Sequence, residues 1–229
     1  MYEELKKRVL EANLKLKNYG LVILTWGNVS ECDREKGVFA IKPSGVDYAT
    51  MTAEDIVVCD MNGNVVDGKL NPSVDMPTHL ELYKNFKNVN GVVHTHSTYA
   101  TAFAQAGKPV TAYGTTHADY FFGPVPCTRV LTKEEMEKDY ELNTGKVITE
   151  CVGEKDFLSV PAVLVKSHGV FTVGKDCFKA VENAYVLEEI AKMAYLTETL
   201  GNKNPVSSDL LKVHYERKHG ANARYGQKK

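Results

Sequence analysis

The chain has 229 residues, of which 43% are hydrophobic and 25% are charged, and its formal net charge is −1. These values are ordinary for a soluble globular protein and argue against binding to nucleic acid or membranes through bulk charge. No apolar stretch approaches the roughly 20 residues that a membrane span needs, and the charged N-terminus lacks a signal-peptide core. Five cysteines at irregular spacing, without a Cys-x-x-Cys pair, favour a reducing cytoplasm over a disulfide framework.

Hydrophobic periodicity predicts a single domain with an α/β sandwich architecture. A helical pattern covers 2–18, and a short apolar run at 21–24 is followed by a polar turn at 26–28. In chain order, the remaining predicted elements are strands at 38–41, 56–59 and 64–66, a helix over 77–86, a strand at 92–94, helices over 99–105 and 133–151, strands at 162–165 and 170–173, and helices over 176–200 and 207–219. The strands cluster in the middle of the chain with helices flanking them, which favours a layered fold.

Histidines stand at the ends of two predicted strands, each after an apolar run. His94 and His96 are two residues apart, so their side chains point to the same face of a strand and can bind one ion. His168 ends the other run, and Gly169 beside it lets the backbone bend to turn the imidazole inward. Three neutral imidazoles with an open fourth position are typical of a catalytic zinc site, and Asp75 is a candidate fourth ligand or base. A purely structural role for each histidine is the alternative.

Two turns rich in small polar residues, at 25–30 and 42–45, precede the histidines. Glycine lets backbone N–H groups approach an anion closely, and hydroxyl groups add further donors. Ser73 adds another hydroxyl donor close to Asp75. Ordinary turn chemistry explains such loops equally well, but next to a metal site they favour a phosphorylated substrate.

Together these residues resemble the class II aldolase/epimerase family over almost the whole chain, from 5 to 227. The resemblance rests on the stretches LTWGNVS (24–30), IKPSGVDY (41–48), PSVDMPTH (72–79), VVHTHS (92–97), GTTHADYF (114–121), SHG (167–169) and HYERKHGANARYGQ (214–227). It implies an α/β fold with a central, mostly antiparallel β-sheet sandwiched between α-helices. It also implies one domain over 1–229, whose C-terminal tail, 205–229, completes a neighbouring active site in a homotetramer.

The resemblance also implies a role for each matched residue. One zinc ion per subunit is expected on Asp75, His94, His96 and His168. The substrate phosphate is expected among Gly27, Asn28, Ser44, Gly45 and Ser73. The acid/base residues are expected to be Asp119 and Tyr225. Apart from the resemblance, the reaction chemistry suggests His117 and His214 as weaker candidates that support these two, and Arg217 as a source of positive charge.

Within the family, the pattern is most similar to that of enzymes that epimerise L-ribulose 5-phosphate to D-xylulose 5-phosphate at C4, by retro-aldol cleavage and re-addition. Asp75 stands where the sugar-phosphate aldolases of the family carry glutamate, which favours an epimerase. Val74 departs from the family pattern, in which a second serine precedes the acid. The alternatives are a class II ketose-phosphate aldolase or related lyase, and a non-catalytic module similar to the adducin head domain, which lacks the metal ligands.

Overall fold

The computed structural model describes residues 1–201, 204–220 and 223. Its centre is a seven-stranded sheet of β1 (Asn28–Asp33), β2 (Val38–Ile41), β3 (Val57–Asp60), β4 (Val65–Asp67), β5 (Gly91–Thr95), β6 (Ala162–Leu164) and β7 (Val170–Gly174). The strand order is β4-β3-β2-β1-β5-β7-β6, and every neighbouring pair is antiparallel. The predicted α/β class with a mostly antiparallel sheet is therefore confirmed.

Helices cover both faces of the sheet. They are α1 (Glu3–Asn18), α2 (Met76–Asn85), α3 (Thr98–Ala106), α4 (Thr115–Ala118), α5 (Lys133–Glu137), α6 (Tyr140–Val152), α7 (Cys177–Thr199) and α8 (Ser208–His219). Helices α2 and α6 pack on one face, and α1, α3 and α7 pack on the other. Within the ranges described above, no helix is both long and apolar enough to cross a membrane.

The alternation of side chains along β5 sets which face carries the histidine. Val92 packs with α2 in one apolar cluster, whereas Val93 packs with α1 and α7 in another. His94 therefore points to the α2 face, as Val92 does. Strand β1 pairs with β5 so that Asn28 lies opposite His94.

Two predicted elements differ from the structure. The loop predicted over 25–30 continues into β1 from Asn28 onward, although four of the six residues of that strand are polar. The single helix predicted over 133–151 is wrong, because α5 ends at Glu137 and α6 begins at Tyr140. Asp139 between them adopts a left-handed conformation with φ of 53°, which no α-helix can continue through.

Candidate metal centre and phosphate pocket

A cavity of about 440 Å³ opens where the start of β1 lies beside the end of β5. Its lining residues are Thr25, Trp26, Gly27, Asn28, Lys42, Pro43, Ser44, Gly45, Ser73, Val74, Asp75, His94, His96 and His168. The structure therefore brings together every residue that the sequence suggested for metal or phosphate binding. The two suggested acid/base residues are not part of this group.

Three histidines form a compact cluster at the floor of the cavity. The ring centroids of His94, His96 and His168 are 4.9, 4.9 and 5.0 Å apart in the three pairs. One nitrogen from each ring lies within 4.8 Å of the others, and the Nε2 atoms of His94 and His96 are 3.1 Å apart. Three nitrogens converging in this way form a ligand set for a divalent ion with an open position.

The turn between β6 and β7 brings the third histidine into the cluster, but by a different route from the one expected. The left-handed residue of the turn is Ser167, with φ of 62°, and not Gly169. Gly169 instead provides space, because a Cβ there would lie 2.7 Å from the Thr95 carbonyl oxygen and 3.0 Å from Cδ2 of His96. Any side chain at this position would push Thr95, at the end of β5, and His96 away.

A hydrogen bond to the backbone selects the tautomer of His94. Its Nδ1 lies 3.0 Å from the carbonyl oxygen of Val170, which can only accept, so Nδ1 carries the proton and donates. In the neutral ring, Nε2 then offers an electron pair towards His96. The ring is held from one side by Phe171, which stacks on it at 4.4 Å between centroids.

Burial keeps the other two rings neutral. It lowers the pKa of His96, and together with the neighbouring His94 and His96 it lowers the pKa of His168 to about 4. Neutral imidazole is the form that binds metal ions. The donor set fits a divalent cation, because the closely facing nitrogens of His94 and His96 repel each other unless a proton or a cation lies between them.

Asp75 lines the same cavity but lies outside the cluster of three histidines that the described residues form. It is the N-cap residue of α2, and its Oδ2 accepts a 2.7 Å hydrogen bond from Nδ2 of Asn28. Burial acts to raise the pKa of the Asp75 carboxyl, but the rings of His94 and His79 and the Asn28 amide outweigh it and lower the pKa. Asp75 is therefore a carboxylate at neutral pH.

The small-residue loops also line the cavity. Gly27 has φ of 77°, and a Cβ there would lie 2.7 Å from Cγ1 of Val22, so this position requires glycine. Ser73 accepts a 3.0 Å hydrogen bond from the Asn28 side chain. Val74 lines the cavity without a side-chain donor, as the sequence suggested.

Lys42 is a cavity residue that the sequence reasoning did not single out. It is almost fully buried, and its Nζ donates hydrogen bonds to the carbonyl oxygens of Thr25 (3.3 Å), Pro43 (3.3 Å) and Val46 (2.9 Å). It therefore ties the two loops together and places a positive charge beneath them. Burial lowers the pKa of the Lys42 ammonium to about 8. The sequence did contain a signal for Lys42, because it directly precedes Pro-Ser-Gly in a loop that was already predicted to bind an anion.

Tyr140 is a second residue that was missed. The break between α5 and α6 makes it the first residue of α6, and its Oη lies 3.4 Å from Nδ1 of His168. A helix running unbroken through 138 and 139 would point this side chain elsewhere. Since left-handed aspartate is uncommon, the sequence carried little warning of the break.

Neither suggested acid/base residue is found in the cavity lining that the structure describes. Asp119 is at the end of α4, where its carboxylate is bound by His214 (3.0 Å), Arg217 (3.4 Å) and Lys218 (3.4 Å) of α8. Burial acts to raise the pKa of Asp119, but these three partners lower it. Tyr225 lies outside the described residues.

Comparison with known proteins finds one matching family and several solved structures with a similar fold. The class II aldolase and adducin N-terminal domain family matches residues 7–195. An L-fuculose 1-phosphate aldolase structure is similar with a TM-score of 0.80 at 28% identity, over 93% of this chain and 95% of that one. The L-fuculose 1-phosphate aldolase from Glaciozyma antarctica has a TM-score of 0.74 at 23% identity, over 94% and 81% of the two chains. The L-fuculose-1-phosphate aldolase from Thermus thermophilus has a TM-score of 0.67 at 24% identity, over 89% and 100%.

Proposed function

Because the chain belongs to the class II aldolase and adducin N-terminal domain family, we propose that it is a metal-dependent enzyme that epimerises L-ribulose 5-phosphate at C4 to D-xylulose 5-phosphate. The observation that carries the proposal is a single cavity that combines three converging histidines with loops suited to an anion. A non-catalytic module would have no use for this set of metal ligands.

The residues of the cavity divide into two groups under this proposal. His94, His96 and His168 hold a zinc ion, with the Asp75 carboxylate as a fourth ligand. The bound ion supplies Lewis-acid polarisation of the ketose oxygens at C2 and C3. The substrate phosphate is held by Gly27, Asn28, Ser44, Gly45 and Ser73, and Lys42 adds a positive charge beneath these donors.

The chemistry of the substrate requires bond cleavage. The hydrogen on C4 is not adjacent to the C2 carbonyl, so simple deprotonation cannot invert that centre. Loss of the C4 hydroxyl proton instead breaks the C3–C4 bond, whose electron pair remains on the three-carbon enediolate. The products are the enediolate of dihydroxyacetone and glycolaldehyde phosphate. Rotation of the aldehyde exposes its other face, and re-addition with protonation of the C4 oxygen completes the inversion.

This route needs a proton acceptor on one face of C4 and a donor on the other. We assign these roles to Asp119 and Tyr225, contributed by a neighbouring subunit of a homotetramer. The position of Asp119 supports the assignment, since it is ionised and held by α8 at a distance from its own cavity. Exposed apolar side chains on α7, including Tyr195 and Leu196, provide a surface for assembly.

A class II ketose-phosphate aldolase is the second candidate, favoured by the 28% identity to an L-fuculose 1-phosphate aldolase. The presence of Asp75 instead of glutamate supports the epimerase, since a shorter carboxylate suits a ligand better than a base. A cytoplasmic location stays a prediction, based on the five unpaired cysteines.

Product analysis separates the two activities. Purified protein supplied with zinc is incubated with carbon-13-labelled L-ribulose 5-phosphate and followed by NMR. The epimerase proposal predicts D-xylulose 5-phosphate as the main product. Stoichiometric release of dihydroxyacetone and glycolaldehyde phosphate would establish the aldolase instead.

A further inference from the structure

A line of buried polar side chains leads from the cavity into the apolar core between α2 and the sheet. On α2, Asp75, His79 and Tyr83 are spaced four residues apart and share one face. On β1, Asn28 and Ser30 point to that face. We call these five residues the polar seam.

Three short hydrogen bonds join the two sides of the polar seam. Asn28 Nδ2 donates to Asp75 Oδ2 at 2.7 Å, and Ser30 Oγ lies 2.6 Å from both His79 Nδ1 and Tyr83 Oη. His79 and Ser30 are fully buried, and Phe171 lies edge-on to the His79 ring at 6.0 Å. Because Phe171 also stacks on His94, the seam contacts the metal centre through packing as well as through Asp75.

Proton counting assigns a direction to these bonds. Among the described residues, Ser30 is the hydrogen-bond partner of the Tyr83 phenol. The phenol proton is therefore satisfied only if Tyr83 donates to Ser30. The single Ser30 proton then goes to Nδ1 of His79, which leaves the imidazole proton on Nε2. The opposite direction would leave two buried groups unpaired, the phenol proton of Tyr83 and the Nε2 lone pair of His79, whereas this direction leaves only the Nε2–H.

The Nε2 atom of His79 is buried and has no hydrogen-bond partner among the described residues. A buried N–H donor without an acceptor destabilises the folded protein. The ionisable group whose charge acts most strongly on this ring is Asp75, one helical turn earlier on the same face. The Asp75 carboxylate, which is the fourth ligand in the proposed metal centre, thus lies one helical turn from the residue that carries this unpaired donor.

We propose that His79 is a positioning residue of the metal centre. Ser30 and Tyr83 hold its ring in the Nε2–H form, and the ring in turn fixes the Asp75 carboxylate against Asn28 beside the three histidines. This inference rests on the metal site of the proposed function. It extends that site by one turn of α2, to a residue that does not line the cavity.

The test measures metal affinity and not activity alone. Metal-free protein is titrated with Co²⁺, and the visible absorption of the bound ion reports both the dissociation constant and the ligand geometry. The variants are His79→Phe, His79→Gln, Ser30→Ala and, as matched control, Thr78→Val. Thr78 is on the same helix, and its buried hydroxyl donates a 2.6 Å hydrogen bond to the Glu141 carbonyl oxygen, away from the seam.

A positioning role predicts that His79→Phe weakens Co²⁺ binding about 10- to 100-fold and alters the spectrum. Ser30→Ala should weaken binding less, and His79→Gln should bind more tightly than His79→Phe because its amide keeps a donor and an acceptor. Thr78→Val should lower the melting temperature and leave Co²⁺ affinity unchanged. In an Asp75→Asn background, His79→Phe should cause no further loss of affinity.

Two results overturn the inference while leaving the proposed function intact. One is wild-type Co²⁺ affinity in both His79 variants and in Ser30→Ala, which would make the seam purely structural. The other is an undiminished effect of His79→Phe in the Asp75→Asn background. If the wild-type protein binds no Co²⁺, the metal centre itself is wrong, and the inference is overturned with it. Should His79→Phe not fold, His79→Gln and Ser30→Ala decide between the same outcomes.

Discussion

The Nε2 atoms of His94 and His96 lie 3.1 Å apart at the end of one strand. Nδ1 of His94 donates to Val170, so in the neutral ring Nε2 offers an electron pair. The two Nε2 atoms then face each other across a gap that a cation can occupy. The sheet holds this arrangement, because β5 is paired on one side with β1 and on the other with β7. A site supported by a sheet is pre-organised for binding.

Asn28 is expected to affect both substrate binding and turnover. Its Nδ2 holds the Asp75 carboxylate and the Ser73 hydroxyl. Asn28→Ala should therefore raise KM about tenfold or more, in line with the loss of a hydrogen bond to a charged group, and should also lower kcat. Steady-state kinetics of the purified variant measure both. Asn64→Ala is the control, because Asn64 also donates to an aspartate, Asp60, but at the exposed β3–β4 hairpin. Unchanged KM and kcat in Asn28→Ala would place the phosphate elsewhere.

Lys42 is expected to contribute to phosphate binding in a pH-dependent way. Its ammonium, with a pKa of about 8, is charged below that pH and becomes neutral above it. The value of kcat/KM should therefore decline as the pH rises through this pKa, and the decline should be absent in Lys42→Met. That variant should also show a KM raised about tenfold, because it loses the charge and the bonds to both loops. Lys36→Met, at an exposed position on the surface, is the control. A pH profile identical in Lys42→Met and wild type would contradict this role.

Asp119 and the histidine cluster are expected to act in the same active site only across a subunit boundary. His96→Asn and Asp119→Asn should each be inactive alone. After subunit exchange some interfaces would carry both lesions and others neither, so activity should return in the mixture. Exchange is verified separately, for example by fluorescence transfer between labelled subunits. With exchange established, an inactive mixture would show that all catalytic groups come from one chain.

The convergence of His94 and His96 could be predicted from the sequence because it depends on a short-range rule, the alternation of side chains along a strand. The two-residue spacing of His94 and His96 correctly placed both rings together, although β5 ends at Thr95. The role of Gly169 could not be predicted. Its value lies in the space it leaves for Thr95 and His96, which are distant from it in the chain.

Strand β1 was not predicted from the sequence because most of its residues are polar. Ser30 and Glu31 are buried in the middle of the sheet, which sequence patterning does not predict for polar residues. Each has a distant partner, since Ser30 contacts His79 and Glu31 accepts a bidentate hydrogen bond from Arg8. Partners of this kind become visible only in the folded chain. The same limit explains why Tyr140 was overlooked, since its partner His168 is distant in the chain.

The metal content of the purified protein decides whether the histidine cluster is a catalytic metal centre. Inductively coupled plasma mass spectrometry of the wild-type chain should find about one divalent ion per subunit, and His96→Asn should have lost it together with turnover of L-ribulose 5-phosphate. Exhaustive chelation of the wild type should abolish activity, and added zinc should restore it. Full activity in the chelated, metal-free protein would rule out a metal-dependent reaction at this site.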